Sequence, residues 1–267
     1  MTVIHLSPGH GAFRRAVTVA ALLAASGLAL AGCKGSTSAS GASGATTSAS
    51  ASASASAKSS AGGSGSSGGG SGTSLAADFP IAVGNTWVYE SRVSGISHGT
   101  VTNKVTRVVP VAGGQRVRMS TITDAAGVAS RSSLIYLFHA DGSITVPFSE
   151  FSSEKVKLVS GRIMWPTSAE LTSGQPLHST LVFEAVGLRV TAHVVVRGDG
   201  TQSVTVPAGS YRAQVVTETM TEKVEGIRVN TRVKTWVAPG VGPVKDEVLS
   251  SSTVPSTVEV LKSFTKA

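Results

Sequence analysis

Hydrophobic positions alternate with polar ones through most of the second half of this chain. Leu188, Val190, Ala192, Val194 and Val196 are interleaved with Arg189, Thr191, His193, Val195 and Arg197. Ile227, Val229, Thr231, Val233, Thr235 and Val237 are interleaved with Arg228, Asn230, Arg232, Lys234 and Trp236. A looser version of the same pattern runs through 101–109, 116–123, 181–186 and 258–264. A period of two sends successive side chains to opposite faces of an extended strand, so each segment predicts a strand with one face buried and one wet. Val and Thr, which fit a pleated surface well, dominate these segments. Turn residues punctuate them: Gly113-Gly114, Asp141-Gly142, Asp199-Gly200, Pro207-Ala208-Gly209 and Pro239-Gly240. No window predicts an amphipathic helix longer than about two turns.

The pattern predicts an all-β, antiparallel fold. Long alternating runs from Leu188 onward point to one large curved sheet of roughly ten to twelve strands, forming a barrel or half-barrel. A two-sheet β-sandwich is the alternative.

The chain ahead of this region follows other rules. Arg14 and Arg15 precede an uncharged run, Ala16 to Leu30, which ends in Leu30-Ala31-Gly32-Cys33. This arrangement resembles a bacterial lipobox, with cleavage between Gly32 and Cys33 and a diacylglycerol on the Cys33 thiol. The run is shorter than the roughly 20 residues that a membrane-spanning helix needs. The alternative is a plain secretory signal with Cys33 as a bystander, and Sec export fits the flanks better than twin-arginine export. One acyl chain binds a bilayer only marginally, whereas two hold it stably. The expected location is the outer face of the cytoplasmic membrane, with the membrane as a partner through the anchor.

Cys33 is the only cysteine. Once it is acylated, no thiol remains for a disulfide, a zinc site, a nucleophile or a redox pair. Lys34 to Ser74 is almost entirely Ser, Ala, Gly and Thr, a composition with nothing large to bury, which predicts a disordered tether. Its 41 residues would span roughly 35 Å on average and about 140 Å when stretched. Three regions follow: a signal peptide (1–32), a lipidated cysteine with its tether (33–74), and one extracytoplasmic domain (75–267), expected to be monomeric. That domain is long enough to bury a single core unaided. It holds all 15 acidic residues and 19 of the 23 basic ones, a mild excess that gives no argument for nucleic acid.

Three stretches carry a family resemblance. They are Phe79-Pro80-Ile81-Ala82-Val83-Gly84-Asn85-Thr86-Trp87-Val88-Tyr89, then Val204-Thr205-Val206-Pro207-Ala208-Gly209-Ser210-Tyr211, then Thr235-Trp236-Val237-Ala238-Pro239-Gly240-Val241-Gly242-Pro243-Val244-Lys245. In this order they resemble the bacterial lipoproteins of the DUF3108-like (TapB-like) group, over most of residues 79–250. The resemblance implies an all-β extracytoplasmic domain and brings no activity with it. The residues also have plain physical readings. Pro207 and Gly209 suit a strand end, Pro239-Gly240 suits the centre of a type II turn, and Trp87 and Trp236 suit plugs at a barrel end or in the core.

Candidate chemistry is sparse. His98, His139, His178 and His193 show no metal-ligand spacing, and His139-Ala140-Asp141 reads as the start of an Asp-Gly turn. Glu218 and Glu222 fall on one side of a strand and Glu225 on the other, which suits a wet face paired with Arg or Lys across strands. No phosphate-loop or dinucleotide fingerprint occurs in the domain, and no cofactor is expected. Arg228, Arg232 and Lys234 share a strand face with Asn230 and Trp236, while Arg189, His193 and Arg197 share another. Such faces are ordinarily just solvated. Their functional reading is a cationic strip, or the mouth of a ligand site near Trp87 and Trp236, meeting a lipid head group or an envelope polymer. An aromatic content of 5% argues against nucleic-acid stacking. The expected function is non-enzymatic binding or carriage of an apolar or amphipathic ligand. The alternatives are an envelope assembly or adhesion protein docking through its sheet, and a hydrolase that leaves no motif.

Overall fold

The computed structural model describes residues 79–93, 96–125, 128–147, 156–161, 163–185, 188–224, 227–251 and 256–267. Gly32, Cys33, the tether and Glu225 lie outside them. The strands are β1 (Thr86–Val93), β2 (Ile96–Val111), β3 (Gly114–Ala125), β4 (Val128–His139), β5 (Ile144–Val146), β6 (Val156–Ser160), β7 (Ile163–Trp165), β8 (Leu177–Ala185), β9 (Leu188–Val206), β10 (Gly209–Val224), β11 (Ile227–Ala238), β12 (Gly242–Ser251) and β13 (Thr257–Thr265). A five-residue helix, α1 (Ser168–Thr172), starts on a capping box between Thr167 and Glu170. The thirteen strands among the described residues form one sheet, in the order β6-β8-β9-β10-β11-β12-β13-β1-β2-β3-β4-β5-β7.

Local pattern became local structure where it was strictest. Val190, Ala192, Val194 and Val196 of β9 are buried, as are Val229, Thr231, Val233, Thr235 and Val237 of β11. Removing each such side chain from water contributes about 1.5–3 kcal/mol for the larger apolar ones. Pro239-Gly240 forms the predicted turn, with Gly240 at φ 69° and the Val241 amide donating to the Ala238 carbonyl at 3.1 Å. Only a positive φ closes this turn geometry, which is what glycine supplies.

The sheet does not close into a barrel, nor does it divide into a sandwich. Among the described residues its edge strands, β6 and β7, pair only with β8 and β5 respectively. Both edges are short, and β6 is bulged between Leu158 and Ser160, features that blunt an edge against further pairing. Yet β6 and β7 are consecutive in sequence, so Ser160 and Ile163 can be at most about 11 Å apart. The two edges therefore meet through the chain rather than through a ladder. Curvature also shows in the interior. A flat sheet would separate β11 from β7 by eight strand spacings, about 38 Å. Val237 of β11 and Trp165 of β7 nevertheless line the same cavity.

One end of the curl is drawn tight by the three motif stretches. Trp87 Nε1 donates to the Val241 carbonyl at 2.6 Å, and the Tyr89 hydroxyl donates to the Pro243 carbonyl at 2.9 Å. Phe79 packs on Trp87 with ring centroids 5.2 Å apart. The Ala208 amide, at the tip of the β9–β10 hairpin, donates to the Leu261 carbonyl of β13 at 3.0 Å. Asn85, fully buried, ties the Pro80 carbonyl to the Ala267 amide. Segments more than 150 residues apart in sequence are thus pinned at one place, which explains why the three motifs belong together.

Candidate functional site

The concave face holds a cavity of about 90 Å³ between the two arms of the sheet. One arm, β1 to β5 with β7, supplies Tyr89, Met119, Tyr136, Phe138, Ile144 and Trp165. The other arm, β11 to β13, supplies Thr235, Val237, Asp246 and Glu259. Phe79, Tyr136 and Trp165 are half-buried, and they form the rim. Tyr89, Thr235, Asp246 and Glu259 are each 5% exposed or less, and they form the floor.

Strand register explains how the floor is assembled. Thr235 lies opposite Asp246, and Asp246 lies opposite Glu259, so all three project from one face. Thr235 donates its hydroxyl proton to Asp246 Oδ1 at 2.6 Å. Directly opposed residues have Cβ atoms about 5 Å apart, and like charges at that range repel. Their negative field reaches the neighbours. The Tyr89 hydroxyl is pushed well above the usual tyrosine range, first by burial and then by Asp246 and Glu259. Glu218 is raised to about 8, by burial and then by Asp246.

Glu218 and Glu222 correct the sequence reading. They do share a side, but it is the inner one. Glu218 stands between Val196 and Val233, and Glu222 between Ala192 and Val229. No Arg or Lys faces them across either strand. Glu222 is fully buried, and neither of its carboxyl oxygens has a hydrogen-bond partner among the described residues. Burial alone raises it to about 7. A polar residue type reported "wet" where the register dictates "inside".

The other predicted residues sit as follows. Trp87 is fully buried in the core and 7% of Trp236 is exposed. Trp236 faces away from the cavity floor, because its chain neighbours Thr235 and Val237 line the cavity. Lys234 and Lys245 lie over its ring at 4.9 and 4.4 Å, and its Nε1 donates to Gln202 at 3.3 Å. Arg228 and Arg232 are exposed on this outer face, and Lys234 is half-buried. Trp87 and Trp236 belong to one buried hydrophobic cluster, and neither they nor Arg228, Arg232 and Lys234 line the cavity. On the same outer face Asp199 bridges Arg197 at 2.7 Å. Although burial opposes it, hydrogen bonds from Thr217 and Arg197 hold the Asp199 carboxyl low. His139 contacts Thr145, and Asp141 accepts from the Ser143 amide and hydroxyl, the geometry of an Asp-Gly turn. Among the described residues, no group of three or more His, Cys, Asp or Glu is placed to hold a metal ion.

Asp246 and Glu259 were missed as floor residues. Their signal was an acidic residue at a core parity position, Val244-Asp246-Val248 and Thr257-Glu259-Leu261, readable only after the register was known.

Comparison with known proteins agrees with this architecture. A protein from Parabacteroides distasonis inferred to be a lipoprotein superimposes with a TM-score of 0.54 at 17% identity, over 70% of this chain and 98% of that one. An inferred exported protein from Bacteroides fragilis with a YmcC-like fold gives 0.51, also at 17% identity and with the same coverage. At these identities the likeness is one of fold. No curated protein matches by sequence. Residues 84–254, well over half the chain and spanning the floor residue Asp246 and most of the motif stretches, match the DUF3108-like family; the chain belongs to that family.

Proposed function

We propose that this chain is an extracytoplasmic lipoprotein, anchored by acyl chains on Cys33, whose half-barrel domain binds an amphipathic ligand without transforming it. The carrying observation is the cavity on the concave face, with an aromatic rim and a polar floor. Ligand sites are concave, mostly apolar, and furnished with a few convergent polar groups. A cavity among the described residues supports holding a ligand over docking through the sheet, for which a packed interior would serve as well. Among the described residues that line it there is neither serine nor histidine, so a nucleophile-and-base reading gains no support from them. The lipobox supports the anchored location. So do the two relatives in fold, one inferred to be a lipoprotein and the other exported.

The test uses the whole chain, acylated and purified in non-ionic detergent beside the variant Val146→Phe. Val146 lines the cavity, and the larger ring fills it. Organic extracts of both are compared by mass spectrometry. An amphiphile that is stoichiometric in the wild type and depleted in the variant supports the reading. Equal lipid in both, with both folded, overturns it.

A further inference from the structure

Resting on the anchored reading, we infer that the end of the domain where the tether enters seats on the anionic bilayer that holds the acyl chains. The contact surface is Arg107, Arg116 and Arg118, with Val83 and Val111 beside them. Arg107 faces Arg118 directly across β2 and β3, and Val109 faces Arg116. Val108 and Val117, next to them in the chain, pack in the core, so the three arginines stand on the outer face. All three are exposed. Across β3 on the other side, Arg118 lies opposite Ile135 and Arg116 opposite Leu137. Neither flanking strand sets an acid beside them, and among the described residues none of the three forms an ion pair. Elsewhere on the surface Arg92, Arg197 and Lys245 each bridge an acid two residues away on the same chain.

This cluster suits phosphate. Like charges directly opposed across strands destabilise a sheet, and an anion laid over them relieves the repulsion. Guanidinium groups match phosphate oxygens in a planar fork, which an ammonium does not. The valines narrow the partner further. Val83 is 55% and Val111 42% exposed, two of the four exposed large apolar side chains among the described residues. Arginine beside exposed apolar side chains fits a bilayer interface, where head groups meet the charge and acyl chains the valines. A soluble anionic polymer would satisfy the arginines and leave the valines in water.

Position singles out this end. The Gly84 amide donates to the Val105 carbonyl at 2.9 Å, and the Val105 amide donates to the Asn85 carbonyl at 3.0 Å. The entry segment, with Val83, therefore runs alongside β2 two residues before Arg107. Phe79 on that segment also lines the cavity, so seating brings the cavity rim toward the lipid. The other directly opposed pair of cations, Lys223 and Arg228, stands elsewhere. Arg228 is ten residues along β11 from Ala238, about 33 Å from the tight end. Each basic side chain near an anionic leaflet raises partition roughly fivefold, so three give on the order of a hundredfold. The tether makes the encounter intramolecular, so a modest attraction suffices.

The experiment uses the whole acylated chain in nanodiscs of phosphatidylglycerol or phosphatidylcholine, each with a trace of spin-labelled lipid. Cys33 is the only cysteine and its thiol is acylated, so Ala112→Cys and, at the far end, Asn230→Cys each accept one bimane label. The Ala112 label should be quenched at least threefold more strongly in phosphatidylglycerol than in phosphatidylcholine, and the Asn230 label weakly in both. Arg107→Ser/Arg116→Ser/Arg118→Ser should abolish the difference, and Lys223→Ser/Arg228→Ser should preserve it. Salt at 1 M, where the screening length falls to about 3 Å, should abolish it in the otherwise unaltered chain and decides the matter if the triple variant does not fold. Equal quenching of the Ala112 label in both lipids, or a difference that the Lys223/Arg228 variant also removes, overturns the seating and leaves the anchor standing. A chain whose mass shows no acyl group overturns anchor and seating together. An Ala112 label that ignores lipid but responds to soluble poly(glycerol phosphate) overturns the bilayer in favour of a polymer. None of these outcomes touches the cavity, which the Val146→Phe comparison tests.

Discussion

Along β11 and β12 the outer face carries lysines one residue away from a hydroxyl and a carboxyl on the inner face. Lys234 and Lys245 lie outside against Trp236, while their chain neighbours Thr235 and Asp246 lie inside on the cavity floor. Outside, each charge meets water or a partner: Lys245 bridges Glu247 at 2.8 Å. Inside, carboxyl groups are stripped of water and two of them, Glu218 and Glu222, are pushed to about 8 and about 7. Outer charges cost little to place. Inner ones cost a great deal, and a fold that keeps four acids inside (Glu218, Glu222, Asp246 and Glu259) calls for a role beyond stability. Of these four, Asp246 and Glu259 line the cavity and Glu218 and Glu222 do not; the perturbed group at the cavity itself is Tyr89, and a perturbed group at a cavity is a common mark of a functional site.

The difference between the faces can be broken from the inside first. Trp87→Ala removes the largest fully buried side chain and leaves the Val241 carbonyl without its donor. It should cost about 3–5 kcal/mol, read as a lower urea midpoint with an unchanged slope. A protein that melts as before would show the motif end to be ornamental.

Glu222→Gln should act in the other direction and only at higher pH. Below about pH 4.5 the carboxyl is protonated in both folded and unfolded chains, and the exchange is nearly neutral. Between there and about pH 7 the unfolded chain releases its proton while the folded chain keeps it, so wild-type stability falls as pH rises. The loss is complete above the folded value. The variant escapes it, gaining on the order of 3 kcal/mol at pH 8. Thermal melts of both proteins at pH 4 and pH 8 check the sign; an equal difference at the two pH values contradicts it.

How much of this contrast was legible beforehand depends on what sets each part. Period two placed β9 and β11 and even their buried positions, because alternation is local. Pro239-Gly240 and Asp141-Gly142 announced their turns for the same reason. The order of strands is not local. β13 sits between β12 and β1, and only that insertion sets Glu259 against Asp246. For Glu218 and Glu222 the parity is legible in the sequence and the face is not, because the apolar residues opposite them, Val196 and Val233, Ala192 and Val229, are fixed by strand register. Closure also misled. Thirteen strands with consecutive edges make a ring in the chain, yet edges of five and three residues are too short to complete the ladder.

Outer-face changes should be small. Lys245→Met removes one of the two cations over Trp236 and the Glu247 bridge, for about 1 kcal/mol or less, with a shift in indole fluorescence. Arg228→Ser and Arg232→Ser should stay within about 0.5 kcal/mol of wild type. A loss above about 2 kcal/mol from either arginine would mean the strip is a structural part of the fold and not a solvated face.

The cavity itself can be watched through its methionines. Met119 lines it and Met220, equally buried on the same concave face, does not. With the full chain carrying carbon-13 methyl labels on methionine, dodecyltrimethylammonium is added below its micelle concentration. The Met119 methyl resonance should move to saturation while Met220 stays in place. A Met119 resonance that never moves, or that moves in step with Met220, would contradict binding in this cavity.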